Sequence, residues 1–596
     1  MNIPERLSAL RNLMKKNKIN AYIIPSTDPH QSEYVPELWQ RRQWISGFTG
    51  SAGDVIVTQD KAGLWTDSRY FLQAADQLKD TGIDLYKIGV AGESTMFEFL
   101  RDELKKDQSV GIDPRLQTKK DADDLKDRLA NQKIKLVHQE ENLVDKLWKD
   151  KPELPDAPIM VWNVKYAGES VESKLNRIRE KMAIEGADVF ILTTLDSIAW
   201  TFNIRGNDVE YNPVVIAYAL ITKENTELFV NRKKVKKDVK KALKKQVKIY
   251  DYEDFVKRLQ KNTGKKIKVW LDIDTVSAWV VSLIDRKSDL LFKKSPVTLF
   301  KACKNETELA GFKSCHIRDG VAMVKFLHWL SEAVPKGGVT EISASDKLAE
   351  FRAADSLFQG LSFATISAYN EHAAVVHYES SPETDVELKS EGIYLIDSGS
   401  HYLDGTTDIT RTIALGEPND EQKDRFTRIL KGHIALSMVS FPQGTQGIQL
   451  DTLARKPLWD IGLNYGHGTG HGVGAFLNVH EGPQGISYYR GIGVPLELGM
   501  VCSNEPGFYK AGEYGMRIET LISVVKDEEK SSEDFTFYKF DTMTLCPIDT
   551  KLIDKSLLTE EEIEYINIYH KRVHEELSPK LRGKAKEWLA AATEPI

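Results

Sequence analysis

Apolar residues in "RLSALRNLMKKNKINAYIIPSTD" (Arg6 to Asp28) recur first at helical spacing and then, after a polar turn, as an unbroken run. The same succession returns in "KLNRIREKMAIEGADVFILTTLD" (Lys174 to Asp196), gap-free, at a constant offset of 168 residues (174 − 6). Each copy predicts an amphipathic helix, a turn and a buried strand. Both continue into aromatic and glycine-rich text, "WISGFTGSAGDVIVT" and "IAWTFNIRGNDVEYNPVVIAYALIT", and then into strand-like alternation. Two related α/β domains are expected, 1–157 and 158–302, joined by the proline-rich linker "KPELPDAP" (Lys151 to Pro158). A second boundary falls near Ser295 to Lys304. After it, "NETELAGFKSCHIRDGVAMVKFLHWLSEAV" predicts a long amphipathic helix with acidic residues in its first turn. The third domain is expected over 303–596, with a helical extension at 551–596 whose apolar positions must pack on something.

The chain has 596 residues, too many for one core, and ~100–200 residues per domain also points to several. It is 41% hydrophobic and 28% charged, which is soluble and globular. A net charge of −7 over this length predicts neither a nucleic-acid nor a membrane partner. The lysine run Lys233 to Lys245 reads as a solvated helix face. Cys303, Cys315, Cys502 and Cys546 lack metal-binding spacing and are too few for a disulfide framework, so buried thiols in a reducing compartment are expected. No signal-peptide core and no run of about 18 apolar residues occurs, which predicts a cytoplasmic protein.

The candidate chemistry lies in the third domain. "YGHGTGHGVGAFLNVHEGP" (Tyr465 to Pro483) carries three of the thirteen histidines, but no H-E-x-x-H, and its glycines oppose a helix. It reads as a loop whose backbone approaches something closely. Upstream, in "YLIDSGSHYLDGTTDITRTI", Asp397 ends an apolar strand and Asp408 begins an alternating one. Asp404-Gly405 supplies the turn, so a hairpin should set the two carboxylates side by side. Downstream, Glu505 stands in "CSNEPGFY", and Glu519 in "GMRIETLISVV", read as one strand with Arg517 and Glu519 on a shared face. Two Asp, two Glu and His471 make a carboxylate-rich donor set suited to Mn²⁺ or Co²⁺ ahead of a lone Zn²⁺, with enough carboxylates to bridge two ions.

These residues resemble the pita-bread metallopeptidases, and among them the three-domain cytosolic Xaa-Pro aminopeptidases. The motifs span the chain: "HQSEYVPELWQRRQWISGFTGSAG", "LWTDSRYFLQA", "KYAGES", "HYLDGTTDITRT", "HGTGHGVGAFLNVHEGP", "NEPGFY", "GMRIE" and "EWLAAATEPI". The resemblance implies an α/β (α+β) chain in which two creatinase-type N-terminal domains precede a pita-bread catalytic domain. It implies hydrolysis of the bond between any N-terminal residue and a following proline, and a homodimer. Asp397, Asp408, His471, Glu505 and Glu519 would bind two divalent ions, Mn²⁺ first, with a bridging water or hydroxide as nucleophile. His377, His467 and His480 would line the substrate. Glu505 would carry the proton to the leaving nitrogen, His377 or His480 would steady the oxyanion, and Arg517 would support the site from beside Glu519.

His372, His401 and His433 match no motif position and are expected to be structural. Ala364 and Asn504 depart from the family pattern, but neither is a ligand. Two other readings remain, a prolidase acting on Xaa-Pro dipeptides and a noncatalytic binding module. The second domain and the C-terminal extension weigh against the first, and the intact donor set weighs against the other.

Overall fold

The repeat in the sequence is a repeat of structure. A computed structural model describes residues 1–488 and 493–596, and the chain divides into two compact units: Met1–Trp162 with Glu169–Val297, and Asn163–Gly168 with Thr298–Ile596.

The first unit holds two six-stranded sheets of identical order. One runs Asp84–Lys87, Ala62–Thr66, Asp54–Thr58, Ala21–Ile24, Ser109–Ile112, Lys135–His138 from edge to edge. The other runs Lys248–Tyr250, Thr226–Val230, Ala217–Thr222, Val189–Leu192, Lys268–Leu271, Asp289–Phe292. In each, the strand after the first helix is antiparallel to one neighbour, parallel to the other, and buried throughout. That is why both read as continuous apolar runs. The preceding helices, Ile3–Lys16 and Val171–Glu185, begin 168 residues apart (171 − 3). Asn2 and Glu5 form a capping box on the first, and Ser170 caps the second. His30 joins the two halves of this unit: its Nδ1 donates to the Thr193 carbonyl at 2.8 Å, and its Nε2 accepts from the Tyr252 hydroxyl at 2.9 Å.

The lysine run is solvated as expected, with one exception. Lys237–Leu243 is helical, but Lys234 precedes it in a short 3-10 turn with its side chain 1% exposed, paired with the equally buried Asp208. Asp208 also accepts the Ile216 N–H at 2.8 Å. The pairing was invisible in the run itself because the partner lies 26 residues upstream.

In the second unit the helix Glu306–Ala333 is capped by Asn305, whose side chain accepts from two backbone N–H groups while Glu308 returns the bond. A three-stranded sheet, Ile366–Tyr369, Ile393–Ser398, Ile409–Ala414, stands with a six-stranded one in the order Ser440–Pro442, Phe537–Thr542, Thr520–Lys526, Val501–Asn504, Gly470–Gly472, Glu481–Ile486. The C-terminal helices Glu560–Leu577 and Gly583–Ala592 bury Ile566, Tyr569, Val573, Leu577 and Leu589 in one cluster with Phe426, Leu430 and Met516. Arg411, fully buried, ties this extension to the sheets: it donates to the carbonyls of Cys546, Pro547 and Glu519 and to the Tyr569 hydroxyl. Among the described residues no helix is long and apolar enough to cross a membrane.

Lys234→Met should destabilise the first unit by about 3–5 kcal/mol, because it strands a buried carboxylate. Adding Asp208→Asn should recover most of the loss. Thermal melting checks both, and an unchanged midpoint in Lys234→Met would contradict the buried pair.

Candidate metal centre

Asp397 and Asp408 come from paired strands. Ile393–Ser398 runs antiparallel to Ile409–Ala414 with Asp397 opposite Thr410, and Asp408 immediately precedes the second strand. Glu519 is brought to the same place by Thr410, which accepts the Glu519 N–H through its carbonyl at 3.1 Å and donates its hydroxyl to Glu519 Oε2 at 2.8 Å. Glu505 follows the strand Val501–Asn504 and is fixed by its N–H to the Thr469 carbonyl at 2.7 Å. Ser503 couples it to His471, accepting the His471 N–H at 2.9 Å and donating to Glu505 Oε1 at 3.2 Å.

The glycine-rich stretch is partly strand. Gly470–Gly472 pairs with both Glu481–Ile486 and Val501–Asn504. A Cβ at Gly470 would lie 2.0 Å from the Ser503 carbonyl oxygen, and one at Gly472 2.1 Å from that of Glu481, so these glycines permit the close pairing. Arg455, itself paired with Asp451, donates to the carbonyls of Tyr465 and His467, and Thr469 donates to Asp451 at 2.6 Å. Sequence reasoning missed this buried pair, although its i,i+4 spacing in the helix Gly447–Trp459 was a usable signal.

His471 donates Nδ1–H to the Gly472 carbonyl at 3.0 Å and directs Nε2 at the carboxylates, 3.4 Å from Asp408 Oδ2 and 3.6 Å from Glu505 Oε1, where it offers a lone pair once its proton is given up. That tautomer suits a metal ligand. One ligand atom each from Asp408, His471 and Glu519 lie within 4.8 Å of one another, close enough to hold a cation. Asp397 joins through Arg517, whose Nη2 donates to Asp397 Oδ2 at 2.5 Å. The same guanidinium donates to Thr410 Oγ1 at 3.1 Å and to the Tyr509 hydroxyl at 2.5 Å, and Tyr509 donates to His467 Nε2 at 2.8 Å.

Arg517 therefore bonds Asp397 directly and reaches Glu519, the expected partner, through Thr410. The expected single strand is two, Tyr514–Arg517 and Thr520–Lys526, which pair with different neighbours, and Glu519 lies in the break between them. His480 stacks edge-on against His471 with ring centroids 4.3 Å apart. His377 arrives from a separate, irregular segment between the turn Asn370–Ala374 and the strand Ile393–Ser398, half-buried.

Electrostatics supply the test of fit. Burial raises the carboxyls of Asp397, Glu505 and Glu519, and the neighbouring carboxylates push each further up. Burial pulls His471 down, but the hydrogen bond to Asp408 and the charge of Glu505 outweigh it and lift the imidazole to about 9. Asp397 Oδ1 is buried and accepts no hydrogen bond. A cluster so rich in acceptors, with an orphan among them, fits divalent cations of the hard or borderline kind.

Other expectations resolve simply. His433 Nε2 lies 2.8 Å from the Thr520 hydroxyl and burial lowers its pKa to about 3, His372 bonds Glu341, and His401 Nδ1 is 3.1 Å from Thr406 Oγ1. Asp404 does more than turn the chain, because it accepts from Arg318 of the long helix at 2.5 Å. Burial pushes the Cys502 thiol up to about 12.

The chain matches the family description "Creatinase/Prolidase N-terminal domain" twice, over 6–147 and 150–308. It matches "Metallopeptidase family M24" over 310–526 and the "C-terminal region of peptidase_M24" over 536–596. It is 42% identical to the probable Xaa-Pro aminopeptidase P of Coprinopsis cinerea, covering 99% of this chain and 98% of that one. It is 41% identical to Xaa-Pro aminopeptidase 1 of Dictyostelium discoideum, covering 100% and 97%. The X-prolyl aminopeptidase of Caenorhabditis elegans, described as a cytosolic enzyme with a di-nuclear active site, superposes with a TM-score of 0.96 at 37% identity over 100% of both chains. The Xaa-Pro dipeptidase of Bacillus anthracis reaches a TM-score of 0.51 at 25% identity, covering 64% of this chain and 99% of its own. The chain belongs to metallopeptidase family M24 and, within it, to the Xaa-Pro aminopeptidases.

Adding Mn²⁺ to chelator-treated protein should raise the melting temperature of the second unit, by about 2.7 kcal/mol of stabilisation at a hundredfold excess over Kd. Asp408→Asn should lose most of that rise. An equal shift in the variant would place the binding elsewhere.

Proposed function

We propose that the protein removes an N-terminal residue from peptides whose second residue is proline, using two divalent cations, Mn²⁺ first, held by Asp397, Asp408, His471, Glu505 and Glu519. The observation that carries this reading is the Asp408, His471 and Glu519 group, with ligand atoms within 4.8 Å of one another, on a framework that matches a di-nuclear X-prolyl aminopeptidase from end to end. When bound, the cations would acidify a water and polarise the scissile carbonyl.

The chain's own groups supply the rest. Glu505 has the most accessible side chain of Asp397, Asp408 and Glu505, at 18% against 10% and 4%, so it is the one placed to take the proton of the attacking water and return it to the proline nitrogen. His377 or His480 donates a hydrogen bond to the developing oxyanion, a contribution of ~3 kcal/mol when preorganised. His467, its ring tethered by Tyr509, offers with His377 and His480 an imidazole wall for the proline ring. Proline's nitrogen carries no hydrogen, so ring shape must do the recognising. Arg517 keeps Asp397 ionised and aimed.

A dipeptidase role is disfavoured, since the bacterial Xaa-Pro dipeptidase accounts for only 64% of this chain. The relative described as cytosolic supports a cytoplasmic location; the homodimer rests on the motif resemblance alone.

Xaa-Pro-Yaa tripeptides should be cleaved at the first bond far faster than the matching Xaa-Pro dipeptide. Acetylating the amino terminus or replacing proline by alanine should cut kcat/KM steeply. A preference for the dipeptide would point to a prolidase. Glu505→Gln should lower kcat by at least about a hundredfold, as expected for loss of a proton carrier, and wild-type turnover would remove Glu505 from the mechanism.

A further inference from the structure

His377 has no helix or strand of its own to hold it. It stands in the irregular segment Val375 to Gly392, yet its role requires placement to within a fraction of an ångström. The adjoining residue, Tyr378, is buried, and its hydroxyl donates to Glu341 Oε2 at 2.9 Å. Glu341 opens the helix Glu341–Ala353 and is wholly buried, an unusual place for a carboxylate.

The same carboxylate also holds the residues that lead into the His377 segment. Glu341 Oε1 accepts the Tyr369 N–H at 2.7 Å and lies 2.9 Å from His372 Nδ1. The Glu341 hydrogen bond raises the pKa of His372, whose ring stacks on that of Tyr378 with centroids 4.5 Å apart. The backbone closes the far end of the segment on the same helix start: Glu341 N–H donates to the Val386 carbonyl at 3.1 Å, Ile342 N–H to Asp385 at 3.0 Å, and Leu388 N–H to the Val339 carbonyl at 2.8 Å. The turn Asn370–Ala374, which carries His372, also lies against the strand that delivers Arg517, since a Cβ at Gly515 would come 1.8 Å from the Ala373 carbonyl oxygen.

We propose that Glu341 is a positioning residue for the reaction, fixing His377 through the Tyr378 hydroxyl. The proposal rests on the substrate-side role given to His377. A carboxylate at a helix N-terminus is stabilised by the helix dipole and gives charge-assisted bonds to each donor, so it can hold an irregular segment rigid where a neutral acceptor would hold it less well. Tyr378 is next in sequence to His377, so any slack at its hydroxyl is passed directly to the imidazole.

Tyr378→Phe removes one oxygen and keeps the ring. With a tripeptide Xaa-Pro-Yaa, it should lower kcat/KM about tenfold with metal content unchanged. Glu341→Gln should lower it further. The deciding measurement is the double variant: in a His377→Ala background, Tyr378→Phe should change kcat/KM by less than twofold, because the tether then has nothing to position. A full tenfold loss persisting in that background, or wild-type kcat/KM in Tyr378→Phe alone, overturns the proposal. If His377→Ala alone leaves kcat/KM unchanged while the wild type is active, the role of His377 fails and this inference falls with it. A wild-type protein inactive on every Xaa-Pro peptide overturns the peptidase reading as well.

Discussion

The second unit is organised around one electrostatic problem, the gathering of Asp397, Asp408, Glu505 and Glu519 in a buried space. Two like charges 4 Å apart repel by about 4 kcal/mol at an effective dielectric constant near 20, and four multiply the cost. The folded chain meets this with the buried guanidinium of Arg517, with the imidazole of His471, and with hydroxyls whose donors are already aimed, Thr410 at Glu519 and Ser503 at Glu505. The rest of the compensation is left to cations. Asp397 Oδ1, buried without a donor, shows where the protein has withheld a partner of its own.

Holding such a cluster requires a frame that does not relax, and the frame is built from backbone carbonyls captured by arginines. Arg411 binds carbonyls from the Glu519 and Cys546–Pro547 segments, and Arg455 binds those of the histidine loop. Each guanidinium offers several donors in fixed directions, so one side chain sets the spacing of two or three chain segments at once. Through Tyr569 the C-terminal extension enters this arrangement, so the extension is part of what keeps the Thr410 and Glu519 backbones in register.

The relation between the centre and its histidines follows the same economy. Arg517, Tyr509 and His467 form one chain of donors and acceptors, so the residue that steadies Asp397 also fixes the tautomer of His467. Asp397 and the histidine loop are mechanically one piece there. The Tyr378 hydroxyl, bonded to Glu341, anchors a second segment, which lies upstream of the Asp397 strand in the sequence.

Much of this is legible in the sequence. The repeat between Arg6–Asp28 and Lys174–Asp196 preserved its 168-residue offset in both the helix and strand positions, because helical and strand periodicities are local properties. The hairpin carrying Asp397 and Asp408 was readable for the same reason, as was the close backbone approach implied by Gly470 and Gly472. What lay beyond the sequence was the pairing of charges distant along the chain: Lys234 with Asp208, Arg318 with Asp404, and Arg517 with Asp397 across 120 positions. A run of lysines looks solvated, an Asp-Gly looks like a turn, and "GMRIETLISVV" looks like one strand until its neighbours are known. Sequence pattern specifies which face a residue takes within its own element. Only tertiary packing decides which buried charge finds which partner, because that choice depends on desolvation and on where several elements meet.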